Sequence, residues 1–318
     1  LSPPMTEISC TLVSVSEETN DIKGFVFDVA EGQCFYWTAG AHVRVTLPAG
    51  GDRAYSLLRL PDLGPGQIAL GVLREAQSTG GSIYMHGLMV GESVTITAPK
   101  NQFPLGDHTT PALLIAGGIG VTPILSMAAE LRAQNRPFAV HYAGRHAGAL
   151  AFVPKMQAIC GEALHLHHDN EDSAFDIAAM LRNASEHAHL YICGPSGMID
   201  AVKVEASAQG WSPERIHFEL FTAEAPSDVD TAFDVEIHQT GQVIHVPADK
   251  TIIEALEGAG LDPLYDCQRG DCGICQCDVI EGIPDHRDVI LTDSEKASNS
   301  VMQICVSRAK SAKLVLDL

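Results

Sequence analysis

The chain has 318 residues, enough for two or three domains that each bury their own core. Its 40 acidic and 20 basic residues give a formal charge of −20. This balance argues against nucleic acid or an anionic membrane as a partner, because either would require a basic patch. No apolar run approaches the length of a membrane span, and no secretory signal pattern is visible, so we expect a cytoplasmic protein.

The first part of the chain, residues 5–106, predicts a small antiparallel β-barrel. Short alternating runs are separated by Gly, Pro and Asp, as at Phe25–Ala30, Val43–Leu47 and Ser93–Ala98. Many short strands with frequent turns are typical of such a barrel. One short helix is expected to begin near Ser82.

Residues 107–222 predict an α/β domain with a parallel sheet, because apolar runs alternate there with helix-like segments. Residues 223–231 are polar and lack periodicity, which indicates a linker. Residues 232–318 form the third predicted domain, with strand-like runs, a short helix near Ile252–Ala259 and a cysteine-rich loop.

Five of the nine cysteines follow residue 266, and four of these five have a distinctive spacing. Cys267, Cys272 and Cys275 are spaced C-x4-C-x2-C, and Cys305 follows after 29 further residues. This is the spacing of plant-type [2Fe–2S] ferredoxins, and Gly270 and Gly273 would let backbone N–H groups approach the sulfurs. A structural zinc site is the alternative, but it usually has two short Cys pairs and only one is present. Cys277 falls outside the pattern and is expected to be a packed thiol.

A flavin site is indicated by Arg53-Ala54-Tyr55-Ser56-Leu57 at a predicted strand end. Tyr55 would wall the ring, Ser56 would supply a hydrogen-bond donor and Arg53 a cation. Thr79-Gly80-Gly81-Ser82 then opens a short helix, where free N–H groups suit a phosphate.

A nicotinamide site is indicated by two turns that follow predicted strands. The first is Gly117-Gly118-Ile119-Gly120-Val121-Thr122-Pro123, in which Thr122 is expected to cap the helix and Pro123 to fit its first turn. The second is Cys193-Gly194-Pro195, at the edge of the sheet where ligands of open α/β folds bind. A lone cysteine is often only a buried apolar residue, but its place in this turn favours a functional role for Cys193. Histidines such as His141 and His167 show no metal-ligand spacing and are interpreted as satisfied core or surface groups.

With these motifs in this order, the chain resembles the phthalate dioxygenase reductase family, which includes vanillate demethylase reductases. The resemblance runs from about residue 8 to the end. It also includes the motifs Asn101-Gln102-Phe103-Pro104-Leu105, His217-Phe218-Glu219 and Val306-Ser307-Arg308-Ala309-Lys310-Ser311. It implies an FMN-binding barrel, an NADH-binding α/β domain and a C-terminal ferredoxin domain of the β-grasp type.

The resemblance also implies roles for individual residues. The expected flavin contacts are Arg53, Tyr55 and Ser56, with Arg74, Gly80, Gly81 and Ser82 at its phosphate. The expected nucleotide contacts are Gly118, Thr122, Cys193 and Gly194, with Asp169 near the adenosine ribose, where a carboxylate favours NADH over NADPH. The residues expected at the hydride-transfer centre are Ser56, Cys193, Glu219 and Phe221, with Phe221 shielding the flavin. Thr79 and Leu73 depart from the family pattern near the phosphate, which leaves FAD as the alternative flavin.

The function implied is a monomeric reductase that passes electrons from NADH through FMN to the [2Fe–2S] cluster and on to a Rieske-type oxygenase. One alternative is an FAD-containing reductase for a diiron or haem-thiolate monooxygenase. A second, of a different class, is a non-catalytic redox sensor that uses the cluster as a switch.

Overall fold

The computed structural model describes residues 7–33, 35–75, 80–106, 109–169, 175–221 and 230–318. The chain divides into two compact units, residues 1–219 and 220–318. Most of the predicted linker lies outside the described residues. The predicted domain boundaries therefore stay predictions, although each of the three large sheets falls within one predicted domain.

The first sheet is an antiparallel barrel, as the sequence predicts. Its strands are β1 (Glu7–Glu17), β2 (Ile22–Val29), β3 (Ala41–Thr46), β4 (Asp52–Leu58), β5 (Gln67–Leu73), β6 (Ser93–Thr97) and β7 (Lys100–Asn101). The order is β4-β5-β2-β1-β6-β3-β7, and a further β4–β3 pairing closes the barrel. Alternating apolar residues such as Leu12, Phe27 and Val43 fill its interior. The short helix α1 (Gly81–Gly87) begins one residue before the predicted position.

The second sheet is fully parallel and also matches the prediction. Its strands are β8 (Ala112–Gly117), β9 (Phe138–Gly144), β10 (Leu164–His168), β11 (His189–Cys193) and β12 (Ile216–Glu219). The strand order β10-β9-β8-β11-β12 reverses direction at β8, so β8 and β11 form the switch point where ligands of open α/β sheets bind. The helices are α2 (Val121–Ala133), α3 (Val153–Cys160), α4 (Ile177–Asn183) and α5 (Ser196–Ala208).

The second unit has the mixed sheet of a β-grasp ferredoxin domain. Its strands are β13 (Phe233–Ile237), β14 (Val243–Val246), β15 (Gln276–Glu281), β16 (Pro284–Asp285), β17 (Val301–Gln303), β18 (Arg308–Ala309) and β19 (Lys313–Asp317). The main sheet has the order β14-β13-β19-β15-β17, with β13 and β19 parallel. Helix α6 (Ile252–Gly258) begins with a capping box at Thr251 and buries its apolar face against this sheet, and α7 (Asp293–Ser298) follows later in the chain. The predicted fold class is confirmed.

No helix among the described residues has the length and apolar character of a membrane span.

A cluster of three histidines lies on the two strands at one edge of the parallel sheet. His141 and His165 are register partners, and His141 Nδ1 lies 3.0 Å from His167 Nε2. The ring of His167 also packs on Phe175, with centroids 4.7 Å apart. Burial lowers the pKa of His141 to about 4, and the two other histidines act in the same direction. His141 and His167 are thus partly buried and hydrogen bonded, while His165 is exposed, in line with the interpretation of these histidines as core or surface groups.

We expect replacement of His141 by Phe to make the protein less sensitive to acid. Below pH 6.5 the unfolded chain binds a proton at His141, whereas the folded protein does not bind it until about pH 4. The free energy of unfolding therefore decreases as the pH is lowered from 6.5 to about 4. After discounting for partial exposure, the loss is on the order of 1 kcal/mol at pH 5, or about 2–4 °C in apparent Tm. The measurement is the Tm difference between variant and wild type at pH 7.5 and pH 5. His187→Phe, at an exposed histidine of the same unit, is the matched control. Parallel Tm curves for wild type and H141F would contradict the prediction.

Candidate functional site

One of the predicted flavin residues of β4, Arg53, lies against the start of helix α1. Arg53, Tyr55 and Ser56 lie in β4, with Ser56 buried and the other two half-buried. A Cβ added to Gly81 would lie 2.4 Å from Arg53 Cγ, so the Arg53 side chain crosses the first turn of α1. Only a glycine fits beneath it, and Gly80, which precedes the helix, has a φ of +111°. Sequence-distant parts of the predicted site are thereby brought together.

Ser82 and Arg74, which are also predicted at the flavin phosphate, each take part in a hydrogen bond. The Ser82 hydroxyl accepts a hydrogen bond from the Glu75 backbone at 3.1 Å, which joins α1 to the end of β5. Arg74 is exposed, and its backbone N–H donates to Asp21 O at 2.7 Å. Burial raises the pKa of Tyr55 to about 12, while Arg53 lowers it and Glu75 raises it, so the phenol stays protonated at neutral pH. Thr79 lies outside the described residues.

The two predicted nucleotide turns pack directly against each other at the switch point of the sheet. A Cβ on Gly120 would lie 2.2 Å from the carbonyl oxygen of Cys193, and a Cβ on Gly194 would lie 3.0 Å from Gly117 Cα. Cys193 is fully buried and is the register partner of Glu219, which is also buried. The glycines therefore do more than open space for a ligand. The two turns can pack this closely only because the facing residues of each turn are glycines.

The expected helix cap at Thr122 is wrong. A single 3-10 turn over Gly118–Gly120 leads into α2, so the helix begins at Val121 and its N-cap is Gly120. Thr122 is thus already inside the first helical turn, and its hydroxyl donates to Ile119 O at 3.0 Å. Pro123 does lie in the first turn, where its missing N–H has no cost.

The remaining nucleotide residues lie at the ends of their strands. Gly118 has a φ of +52°, and its carbonyl accepts a hydrogen bond from the Tyr142 hydroxyl at 3.1 Å. Asp169 is exposed directly after β10, and its backbone N–H donates to Gly144 O at 3.2 Å. Phe221 is half-buried and belongs to the second unit, so its predicted place over the flavin stays a prediction.

Helix α2 joins the barrel through a serine that the sequence interpretation missed. The Ser126 hydroxyl donates to Leu57 O at 2.7 Å and accepts from the Arg59 backbone N–H at 2.9 Å. It therefore ties the end of β4 to the helix that follows the first nucleotide turn. Thr122 also lies against the barrel, since a Cβ on Gly71 would stand 2.7 Å from Thr122 Cγ2. The only signal of this contact in the sequence is a serine within an otherwise apolar stretch of the helix.

A second missed contact holds the barrel and the α/β domain together around Phe152. This residue is buried with a left-handed φ of +58°, and its ring packs on Gly24 and Gly71 of the barrel. Glu18 accepts hydrogen bonds from the Phe152 backbone N–H at 3.1 Å and from Lys155 Nζ at 3.1 Å. A phenylalanine rarely adopts this conformation, and nothing in the local sequence signals it.

The four predicted ligand cysteines converge in the second unit. Cys267, Cys275 and Cys305 are buried, while Cys272 is half-buried. Hydrogen bonds from the Cys272 and Cys305 thiols lower the pKa of Cys267, and a hydrogen bond from Cys305 lowers the pKa of Cys275. Cys277 is separately buried in β15, where burial raises its pKa to about 12.

The loop around these sulfurs requires glycine at two positions. Gly270 and Gly273 have φ of +79° and +76°, and a Cβ on Gly270 would lie 2.7 Å from Val306 Cγ2. The Arg269 backbone N–H donates to Cys267 Sγ at 3.3 Å. Gln303, which the sequence interpretation missed, is buried and accepts a hydrogen bond from the Cys275 thiol at 3.4 Å.

The donor set fits a two-iron cluster. Among the described residues, no three His, Cys, Asp or Glu side chains surround a point suited to one metal ion. The four thiols are instead joined by hydrogen bonds in pairs, Cys267 with Cys272, Cys267 with Cys305 and Cys275 with Cys305. A [2Fe–2S] cluster requires four thiolates shared between two irons, and four converging thiols, three of them buried, beside glycines with positive φ fit this requirement.

Comparison with known proteins agrees with this description. Residues 235–310 match the family "2Fe-2S iron-sulfur cluster binding domain", and residues 99–216 match the "Dimethylamine monooxygenase subunit DmmA-like, N-terminal domain" family. The vanillate O-demethylase oxidoreductase of Pseudomonas sp. (strain HR199 / DSM 7063) is 46% identical over 88% of this chain and 90% of its own length. The heme-dependent oxidative N-demethylase beta subunit of Ectopseudomonas mendocina (strain ymp) is 35% identical over 98% of this chain and 99% of its own length.

Among solved structures, phthalate dioxygenase reductase superposes with a TM-score of 0.76 at 33% identity, covering 98% of both chains. The barrel, the parallel sheet and the ferredoxin domain define the class of the protein, a modular iron–sulfur oxidoreductase. The chain belongs to the family of phthalate dioxygenase reductase and vanillate O-demethylase oxidoreductase, the reductase components of oxygenase systems.

Proposed function

We propose that this chain takes hydride from NADH and delivers the two electrons one at a time, through FMN and a [2Fe–2S] cluster, to an oxygenase. A bound flavin supplies the conversion between a two-electron donor and a one-electron carrier, and the cluster supplies that carrier. The protein's own task is to bind these groups, orient them and exclude water. The proposed domains are residues 5–106 for flavin, 107–222 for NADH and 232–318 for the cluster, with 223–231 as linker.

The contact made by Ser126 carries the proposal. It joins the end of the flavin strand β4 to the helix that begins at the first nucleotide turn. Hydride transfer requires donor and acceptor atoms at about 3–3.5 Å, and only a fixed juxtaposition of the two binding sites achieves this. The Phe152 and Glu18 contact supports the same arrangement.

In the proposed site, Tyr55 and Ser56 contact the isoalloxazine. The Tyr55 phenol, kept neutral by burial, donates a hydrogen bond without placing a negative charge beside the ring. The flavin phosphate is held by Arg53 and Arg74 and by the α1 turn, whose proposed contacts are Gly80, Gly81 and Ser82. The aliphatic part of Arg53 lies against Gly81, which supports this assignment by bringing a cationic side chain to the glycine turn. Its Nη1 donates to Asp52 O at 2.7 Å.

NADH is proposed to bind across the paired turns at Gly118, Thr122, Cys193 and Gly194. Asp169 follows β10, where an exposed carboxylate would accept ribose hydroxyls and repel a 2′-phosphate, which favours NADH. Glu219 and Cys193 are adjacent in register at the ends of their strands, and we propose that they line the pocket of the reacting ring. Phe221 is proposed to cover the flavin until the nicotinamide replaces it.

Cys267, Cys272, Cys275 and Cys305 are the proposed cluster ligands, and the acceptor is proposed to be a Rieske-type oxygenase that meets a monomer of this chain. The N-demethylase relative keeps a haem-containing oxygenase as the second candidate, because that relative is the beta subunit of a heme-dependent oxidative N-demethylase. Reconstituted turnover with purified oxygenase components of the two types distinguishes these acceptors.

An anaerobic titration of the purified protein with NADH tests the proposal. We expect loss of flavin absorbance, followed by a rhombic EPR signal from the reduced cluster, with two irons and one flavin bound per chain. The mass of the acid-extracted flavin separates FMN from FAD. Protein that binds zinc in place of iron, or that holds no flavin after reconstitution, would refute the proposed function. Flavin and cluster without rapid NADH turnover would favour the sensor alternative.

A further inference from the structure

A carboxylate with no part in the proposed electron path is buried beside the cluster loop. Asp288 lies between β16 and α7, and its side chain is 0% exposed. Its Oδ2 accepts a hydrogen bond from the Leu291 backbone N–H at 2.9 Å. A carboxylate in such a position interacts strongly with nearby charge, because little water screens it.

The segment that contains Asp288 packs directly on the loop of the first three cysteines. The Val289 backbone N–H donates to Gly270 O at 3.1 Å. A Cβ on Gly270 would lie 3.0 Å from Asp288 Cα and 3.3 Å from Asp288 Cβ. Gly270 is two residues before Cys272, so Asp288 supports the loop from immediately behind the proposed ligands.

The same carboxylate reaches the segment of the fourth cysteine. The Ser307 hydroxyl lies 3.5 Å from Asp288 Oδ1 and also accepts a hydrogen bond from the Arg287 backbone N–H at 3.2 Å. Ser307 is two residues after Cys305. Asp288 therefore contacts both chain segments that supply the proposed ligands.

The charges around Asp288 neutralise it incompletely. Lys296 Nζ is 3.9 Å from Oδ2 and donates to the Asp288 backbone carbonyl at 2.5 Å. His286 Nδ1 is 3.8 Å from Oδ1, and neither ring nitrogen of this buried histidine has a hydrogen-bond partner. One partly exposed ammonium thus faces a buried carboxylate, which leaves negative potential on the side of the cluster loop.

We infer that Asp288 sets the reduction potential of the cluster. Reduction adds one electron to a group already bound by four thiolates, and a buried negative charge packed on the loop opposes that addition. Asp288 therefore keeps the cluster potential low, which favours onward transfer to the acceptor, while Lys296 limits the effect. The inference rests on the proposed function, because it requires the cluster to bind at these four cysteines.

The test is an EPR-monitored redox titration of the full-length holoprotein. Asp288→Asn preserves the shape and the acceptor for Leu291 N–H but removes the charge, and we expect a higher potential. At a fixed ambient potential the ratio of reduced to oxidised cluster should rise several-fold to tenfold, tenfold corresponding to 59 mV for one electron. Lys296→Gln removes the opposing charge and should lower the same ratio. Unchanged g values in both variants would show that the ligand set is intact.

Asp262→Asn is the matched control, since it makes the same charge change at an exposed site in the same domain. Its effect should stay below about twofold because water and salt screen it. Equal shifts in D288N and D262N, or shifts of the same sign in D288N and K296Q, would overturn the inference. If D288N fails to assemble its cluster, the K296Q variant alone tests the inference. A lower cluster potential in K296Q supports the inference, and an unchanged cluster potential overturns it. Absence of any cluster signal in the wild-type protein would refute the proposed function instead.

Discussion

Replacing Cys272 by alanine should abolish NADH-dependent reduction of cytochrome c while leaving flavin reduction by NADH nearly unchanged. Cys272 lies in the loop whose four thiols converge in the second unit, and it is the most exposed of the four. Alanine supplies no donor atom, so the proposed cluster loses one of its four ligands. Apart from Phe221, the residues of the proposed flavin and NADH sites lie in the first unit, and none of them belongs to this loop.

The measurement compares stopped-flow bleaching of the flavin with steady-state cytochrome c reduction. We expect the first rate to stay within about twofold and the second to fall at least a hundredfold, because electrons no longer have a one-electron outlet of low potential. Cys277→Ala is the matched control, since this buried thiol of β15 is outside the ligand set. Cytochrome c reduction at the wild-type rate in C272A, or equal loss of both activities with the fold intact, would contradict the electron path.

The sequence singled out the four cysteines that the fold brings together, because a bound cluster would fix the chemistry and the spacing of its donors. It predicted the barrel and the parallel sheet for a related reason, since buried strands leave apolar runs between turn residues. The cap at Thr122 failed because helix α2 begins two residues earlier than a cap at that position requires, through a 3-10 turn built from glycines. The start of a helix depends on where the preceding chain can be placed, and this is decided by tertiary packing.

The contacts that fix the flavin strand against the nucleotide turn were not predictable from local patterns. Ser126 pairs with a backbone carbonyl 69 residues away, and Glu18 pairs with a backbone N–H 134 residues away. Neither residue differs in type or spacing from an ordinary helix serine or surface glutamate. Phe152 has its left-handed conformation where its N–H meets Glu18 and its ring meets Gly24 and Gly71, all distant in sequence, so its role exists only in the folded chain.

The packing of the two nucleotide turns makes Gly120 the most sensitive glycine of those two turns. A methyl group there would stand 2.2 Å from the Cys193 carbonyl oxygen and 2.4 Å from its carbon, and both atoms belong to the backbone. The turns would have to separate by roughly 1 Å to reach ordinary van der Waals contact. Such a displacement of binding groups commonly reduces a rate by about a hundredfold.

We therefore expect Gly120→Ala to reduce kcat/KM for NADH by about a hundredfold, with an unchanged cluster EPR signal after reduction by dithionite. Gly117→Ala should have a smaller effect, because its methyl group would meet the flexible end of Met198 and the ring of Pro195. Gly197→Ala is the matched control, since it lies in α5 with no atom within 4 Å of the added methyl group. The order of loss should be G120A, then G117A, then G197A, as measured by stopped-flow flavin reduction at several NADH concentrations. If G120A and G197A reduce flavin equally fast, the two turns do not hold the nucleotide as proposed.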